Sequence, residues 1–183
     1  MILDEEELIR KCLDGDRHAQ TLLFDGYYDE FYLIAMRYLA EHHDAQDVIV
    51  KSFTRIFNNL SKFQSQGTGS LGRWMRTILI NESIRLLQKR KIVQYDDSTA
   101  HLEIENPAAD ALQQMSADDI MRLIERLPTG YRTVFNLFAV EGYSHAEIAE
   151  MLSISVSTSK TQLKKARHHL MSSITKEEAY GTI

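Results

Sequence analysis

The sequence predicts an all-α protein in which two small helical domains are joined by an acidic linker. Three observations carry that expectation. Apolar residues recur at three- and four-residue spacing along most of the chain, and no alternating run of β-branched residues argues for a strand. Only 2 prolines and 8 glycines occur in 183 residues, so helices are seldom broken. Between residues 93 and 115 the helical period is lost in an acidic stretch containing Asn106-Pro107, too long for a loop inside a compact domain. The expected organisation is a first domain over 1–92, a linker over 93–115, a second domain over 116–175 and a tail over 176–183.

The elements follow in order. A short helix over residues 3–13 ends at Asp14-Gly15-Asp16, and Cys12 shares its apolar face with Leu8 and Ile9. A long helix over 16–41 carries the stripe Leu22, Leu23, Tyr27, Phe31, Ile34, Ala35 and Tyr38. Asp44 is expected to N-cap a third helix with Val48, Ser52, Phe53, Ile56, Phe57 and Leu60 on its inner face. Residues 64–72, rich in Gly, Ser and Gln, read as a loop before a fourth helix over 71–91. In the second domain, Ser116-Ala-Asp-Asp119 is expected to cap the first helix.

Residues 127–170 read as three short helices, the last two forming a helix-turn-helix. Ser144-His-Ala-Glu147 is a capping-box pattern, in which hydroxyl and carboxylate each satisfy a free amide at the helix start. Ile148, Ala149, Met151 and Leu152 supply its apolar face, and Ser153-Ile154-Ser155 interrupts the pattern before a helix resumes at Val156. The small Ala149 allows a close helix crossing, with Ile154 filling the angle. Phasing the last helix at about 100° per residue puts Val156, Ser159, Leu163, Ala166 and Leu170 toward the core. Ser157, Thr158, Thr161, Lys164, Lys165 and His168 fall on the other side or its flank. Ser157, Thr158, Lys160, Thr161, Gln162, Lys164 and Lys165 form the candidate DNA-reading set, since short hydroxyls reach base edges and lysines neutralise phosphates.

The fourth helix is a second basic segment. Trp74, Ile78, Asn81, Arg85 and Gln88 follow helical spacing, and Arg73 and Arg76 lie among them. Cations near an aromatic ring suit single-stranded or distorted DNA, where a base is stacked or held out of the duplex. Arg73, Trp74, Arg76, Asn81 and Arg85 are therefore the candidates for that contact.

Taken together, these segments resemble the extracytoplasmic-function (ECF) type of bacterial RNA polymerase sigma factor over nearly the whole chain. Asp44-Ala-Gln-Asp-Val-Ile-Val-Lys-Ser-Phe-Thr-Arg-Ile-Phe57 is similar to the polymerase-binding helix of sigma region 2. The resemblance assigns core RNA polymerase contacts to Asp44, Asp47, Lys51 and Arg55. The helix over 71–91 is similar to the part that recognises and melts the minus-ten promoter element. Leu127-Pro-Thr-Gly-Tyr-Arg-Thr-Val-Phe135, Gly142-Tyr-Ser-His-Ala-Glu-Ile-Ala-Glu-Met-Leu152 and the helix after them resemble region 4, which reads the minus-thirty-five element. The family implies two partners, core RNA polymerase and promoter DNA, with an anti-sigma factor (membrane-bound or soluble) as a third. It also implies a linker that enters the polymerase cleft.

The chain departs from the family at several positions. Ser153 stands where a turn glycine is usual, Ser159 where an aliphatic residue is common, and Gln162 where a basic residue is frequent. Gln46 and Lys51 stand where acidic residues are frequent. These changes bear on promoter sequence and core affinity, not on the class.

A net charge of −5 is unusual for a DNA binder, but it is segmented. Residues 67–94 carry 6 basic and 1 acidic groups, and residues 128–171 carry 5 and 3. Two basic blocks in an acidic chain imply weak DNA affinity alone and a large protein partner that supplies the rest. No apolar run reaches membrane-spanning length, and the acidic start is unlike a signal peptide, so a cytoplasmic location is expected. The lone Cys12 excludes an intrachain disulfide and argues against a cysteine-based zinc site. His42-His43 and His168-His169 are adjacent pairs whose rings point about 100° apart on a helix, so no metal, cofactor or catalytic centre is expected. The rival reading is a free-standing helix-turn-helix regulator that binds duplex DNA without polymerase.

Overall fold

The computed structural model describes residues 4–90 and 116–180, with side chains described to residue 174; the expected linker, 93–115, lies outside them. Eight α-helices form among the described residues, and the chain divides into two compact units, Met1–Leu86 and Leu87–Ile183. That division falls within the last turns of the fourth helix, a few residues before the boundary expected at 92.

The first unit holds α1 (Glu5–Leu13), α2 (Arg17–Leu39), α3 (His42–Asn59) and α4 (Ser70–Lys89), with a 3-10 turn at Leu60–Lys62. Asp4 caps α1, and Asp16 caps α2 by accepting from the amides of His18 and Ala19. Helix α2 stops at Ala40, which takes the left-handed conformation at φ 53°. Phe31, Tyr38 and Ile56 are fully buried, as the stripes foretell, and so are Ile49, Met75 and Leu79. Phe53 sits between Phe24 and Phe31, at 4.6 and 5.5 Å between ring centroids. Leu22, expected in the stripe of α2, is 42% exposed.

Helix α3 corrects one expectation. Its cap is Glu41, in extended backbone, whose carboxylate accepts from the amide of Asp44 at 2.8 Å. Asp44 therefore lies inside the first turn and is buried. Its charge there still favours the positive end of the helix dipole.

The second unit holds α5 (Ala117–Glu125), α6 (Thr129–Phe135), a π-type turn at Asn136–Val140, α7 (His145–Leu152) and α8 (Val156–Tyr180). Ser116 caps α5 by accepting from Asp119, as its motif predicts. The Ser144–Glu147 capping box is complete: Glu147 Oε2 accepts from the Ser144 amide at 2.8 Å. Helix α8 continues to Tyr180, so residues 176–180 are helical where a tail was expected. Leu123 and Ile174 are buried together, with Leu170 and Met171 packed on them.

Ser153 ends α7 with φ 56°, in the left-handed region that costs a residue with a Cβ about 1–2 kcal/mol. Part of that relief is lost to the freer unfolded chain of a glycine. Ser153→Gly is expected to raise stability by about 0.5–1 kcal/mol. A urea midpoint that is unchanged or lower shows that the Ser153 side chain compensates for its backbone.

Candidate nucleic-acid interface

In the first unit, the register of α4 decides which residues act together. Trp74, Ile78, Asn81 and Arg85 lie at steps of four, three and four, on one side of the helix. They line a groove of about 270 Å³ with Arg55 and Asn59 of α3, Lys62, and Glu82. A second groove of about 340 Å³ lies on the other flank of Trp74 and includes Arg73, Thr77, Phe63 and Gln66. The half-buried indole of Trp74 thus separates two basic hollows, braced by the Phe63 ring at 5.4 Å. The intervening loop turns at Gly67 and Gly69, with φ 93° and 74°, and Ser70 Oγ ties it to α4 by accepting from the Gln66 amide.

Arg76 is not part of this wall. It lies roughly 160° around α4 from Trp74 by helical phase, and its guanidinium donates to Glu30 on α2. It therefore lies apart from Trp74 and Asn81 and ties α4 to α2. Arg55 is held within the unit as well. Its Nε donates to Glu82 Oε1 at 2.8 Å, and Arg85 reaches the same oxygen at 2.8 Å. Of the residues assigned to polymerase, Asp47 and Lys51 remain together on the exposed edge of α3, with Asp47 3.6 Å from Lys51 and 3.7 Å from His43. Asp44 is buried beneath that edge.

In the second unit, α8 is the helix expected to read DNA. Ser155 caps it, its Oγ accepting from the Thr158 amide at 2.9 Å and bonding the Thr158 hydroxyl at 2.7 Å. Thr158, Gln162 and Lys165 are buried, the last only 5% exposed, while Val156 is exposed. The buried arc is wider than the apolar stripe and turned away from Val156, since α8 packs against both α6 and α7. A helix with neighbours on two sides buries flanking polar residues that a single stripe does not mark. The open arc carries Ser157, Lys160, Lys164 and Arg167, with Thr161 at its margin. Arg167 was missed by the sequence reading, although its phase lies within about 20° of that of Lys160.

Ser159, buried on the inner arc, meets His145 at the start of α7, where Nδ1 and the Ser159 hydroxyl are 2.9 Å apart. The imidazole stacks on Phe138 at 4.5 Å. Partial burial, then the charges of Lys160 and Arg167, hold His145 below its ordinary value of 6.5. Between that lowered value and 6.5 the unfolded chain binds more protons than the folded one. The contribution of the neutral ring is therefore fully present above pH 6.5 and is lost as pH falls through the folded value. Wild type should lose more stability than His145→Gln between pH 7.5 and 5.5, both read by thermal unfolding of the full chain. Parallel losses in the two proteins would remove His145 as the cause.

Among the described residues, no three His, Cys, Asp or Glu side chains are grouped to hold a metal ion. No helix among them is long and apolar enough to cross a membrane.

Comparison with known families joins the two units. Residues 23–92 match the family model Sigma-70 region 2, and residues 117–170 match Sigma-70, region 4. The chain belongs to the sigma-70 family. Within it, this sigma factor is of the ECF type, and it is similar over most of its length to ECF proteins from several bacteria. It is 29% identical over 174 residues to the ECF RNA polymerase sigma factor SigW of Bacillus subtilis, covering 88% of this chain and 92% of that protein. It is 24% identical over 184 residues to the ECF RNA polymerase sigma-E factor of Haemophilus influenzae, covering 94% and 96%. Among solved structures it is similar to CnrH in complex with the cytosolic domain of CnrY, at 20% identity and a TM-score of 0.49, covering 93% of this chain and 96% of that one.

Proposed function

We propose that this sigma factor binds core RNA polymerase and directs promoter recognition, promoter melting and transcription initiation, working where polymerase and chromosome are, in the cytoplasm. The carrying observation is that one chain presents two separate DNA-suited surfaces of different kinds. The grooved face of α4, with an aromatic ring between cations, suits unpaired bases. The open arc of α8, with Ser157, Lys160, Lys164 and Arg167, suits a duplex groove flanked by phosphates. The exposed edge of α3, with Asp47 and Lys51, supports a contact with polymerase. The protein itself performs no chemistry; the polymerase active site does.

Each DNA surface is modest, so specificity comes from their sum once polymerase holds both on one promoter. The direct test maps transcript starts after overexpression, then measures binding of the purified chain to a mapped promoter with and without core polymerase. Tight binding only with core supports the reading. Tight, sequence-specific duplex binding by the chain alone favours the free-standing regulator.

A further inference from the structure

We propose that Arg55, at the end of the expected polymerase-binding helix, is a DNA residue: with Arg85 it forms a two-arginine clamp for the backbone of the unpaired promoter strand. This rests on the sigma-factor reading and goes beyond it, because it takes Arg55 off the polymerase surface.

The geometry carries the inference. Arg55 projects from α3 and Arg85 from α4, yet both guanidiniums converge on one oxygen of Glu82, each at 2.8 Å. The Glu82 side chain is only 10% exposed, while those of Arg55 and Arg85 are 50% and 57% exposed. One nearly buried carboxylate therefore orders two cations that stay open to solvent. Arg55 spends Nε on Glu82, which leaves its two terminal amino groups, and Arg85 spends Nη1, which leaves Nη2. The unused donors are the kind that grip phosphate oxygens, where a guanidinium makes paired, charge-assisted bonds.

Charge and shape point the same way. The groove holding the pair also contains Lys62, Asn59 and Asn81, with Trp74 and Ile78 as its apolar part. Three cations against one carboxylate leave the wall positive, which attracts an anion. A stacked base on Trp74 would bring its backbone past these cations, the combination by which unpaired strands are held. The contact would be independent of base identity, since phosphates carry no sequence.

The test uses holoenzyme reconstituted from core polymerase and the full chain, on two templates from a promoter mapped as above: an intact duplex and one with a pre-opened bubble. Arg55→Gln should bind core as tightly as wild type but hold the bubble template roughly 3- to 10-fold more weakly, with a salt slope shallower by about 0.7 for one lost single-strand phosphate contact. Arg55→Lys, which keeps the charge, should restore most of the slope. A drop in core affinity with an unchanged bubble slope would return Arg55 to the polymerase face. A lowered melting temperature in both variants, with equal losses on both templates and no change of slope, would make the Arg55–Glu82 pair a strut of the fold and overturn the clamp. If wild-type holoenzyme itself shows no promoter-specific opening, it is the sigma-factor reading that fails.

Discussion

Trp74→Ala is expected to reduce open-complex formation on an intact promoter by roughly 5- to 150-fold, the equivalent of about 1–3 kcal/mol for one lost base–aromatic stack. The indole lies between two basic hollows on α4, half-buried and braced by Phe63. Its loss removes the surface on which an unstacked base would rest, so the strand pays its unstacking cost without return. A template with a pre-opened bubble has met that cost already and should recover much of the rate. Unpaired thymines made permanganate-reactive at the promoter provide the readout. Loss of core binding together with a lower melting temperature would instead show that Trp74 serves mainly to anchor the first unit through Phe63.

Arg132→Met should destabilise the second unit by about 3 kcal/mol, a large share of the 5–15 kcal/mol that a domain commonly has. Arg132 is almost fully buried, and its Nη1 donates to the carbonyls of Glu125 at 2.6 Å and Leu127 at 3.2 Å. These carbonyls close the C-terminal end of α5, where helical partners run out. Burial pulls the guanidinium below its ordinary range. Methionine fills much of the volume but leaves the carbonyls without their donor. Hydrogen exchange at Leu163 and Ala166, both buried in α8, should speed up several-fold or more, while the first unit keeps its protection. Unchanged protection in α8 would show that water replaces the guanidinium at little cost. A holoenzyme carrying this variant should lose its upstream duplex contact and keep its hold on a pre-opened bubble.

What the sequence determined by itself was local. The Ser144–Glu147 box, the Ser116 cap and the apolar registers of α2, α3 and α4 depend on residues three or four apart, and such neighbours meet in any helix. Periodicity also placed Trp74, Asn81 and Arg85 on one face, and the same periodicity, applied to Arg76 residue by residue, would have excluded it. Only the tertiary structure decided the rest, because those facts join residues far apart in the chain. Arg76 meets Glu30 across 46 positions, and Arg55 shares Glu82 with Arg85, so no local pattern announces either pair. Thr158, Gln162 and Lys165 look polar and therefore exposed in sequence, yet α8 buries them on an arc wider than its apolar stripe. The exposed basic arc of α8 consequently consists of Lys160, Lys164 and Arg167. A helix sequence states which side is apolar; how many neighbours press on its flanks is set by the fold, and that number decides which polar residues remain free to meet DNA.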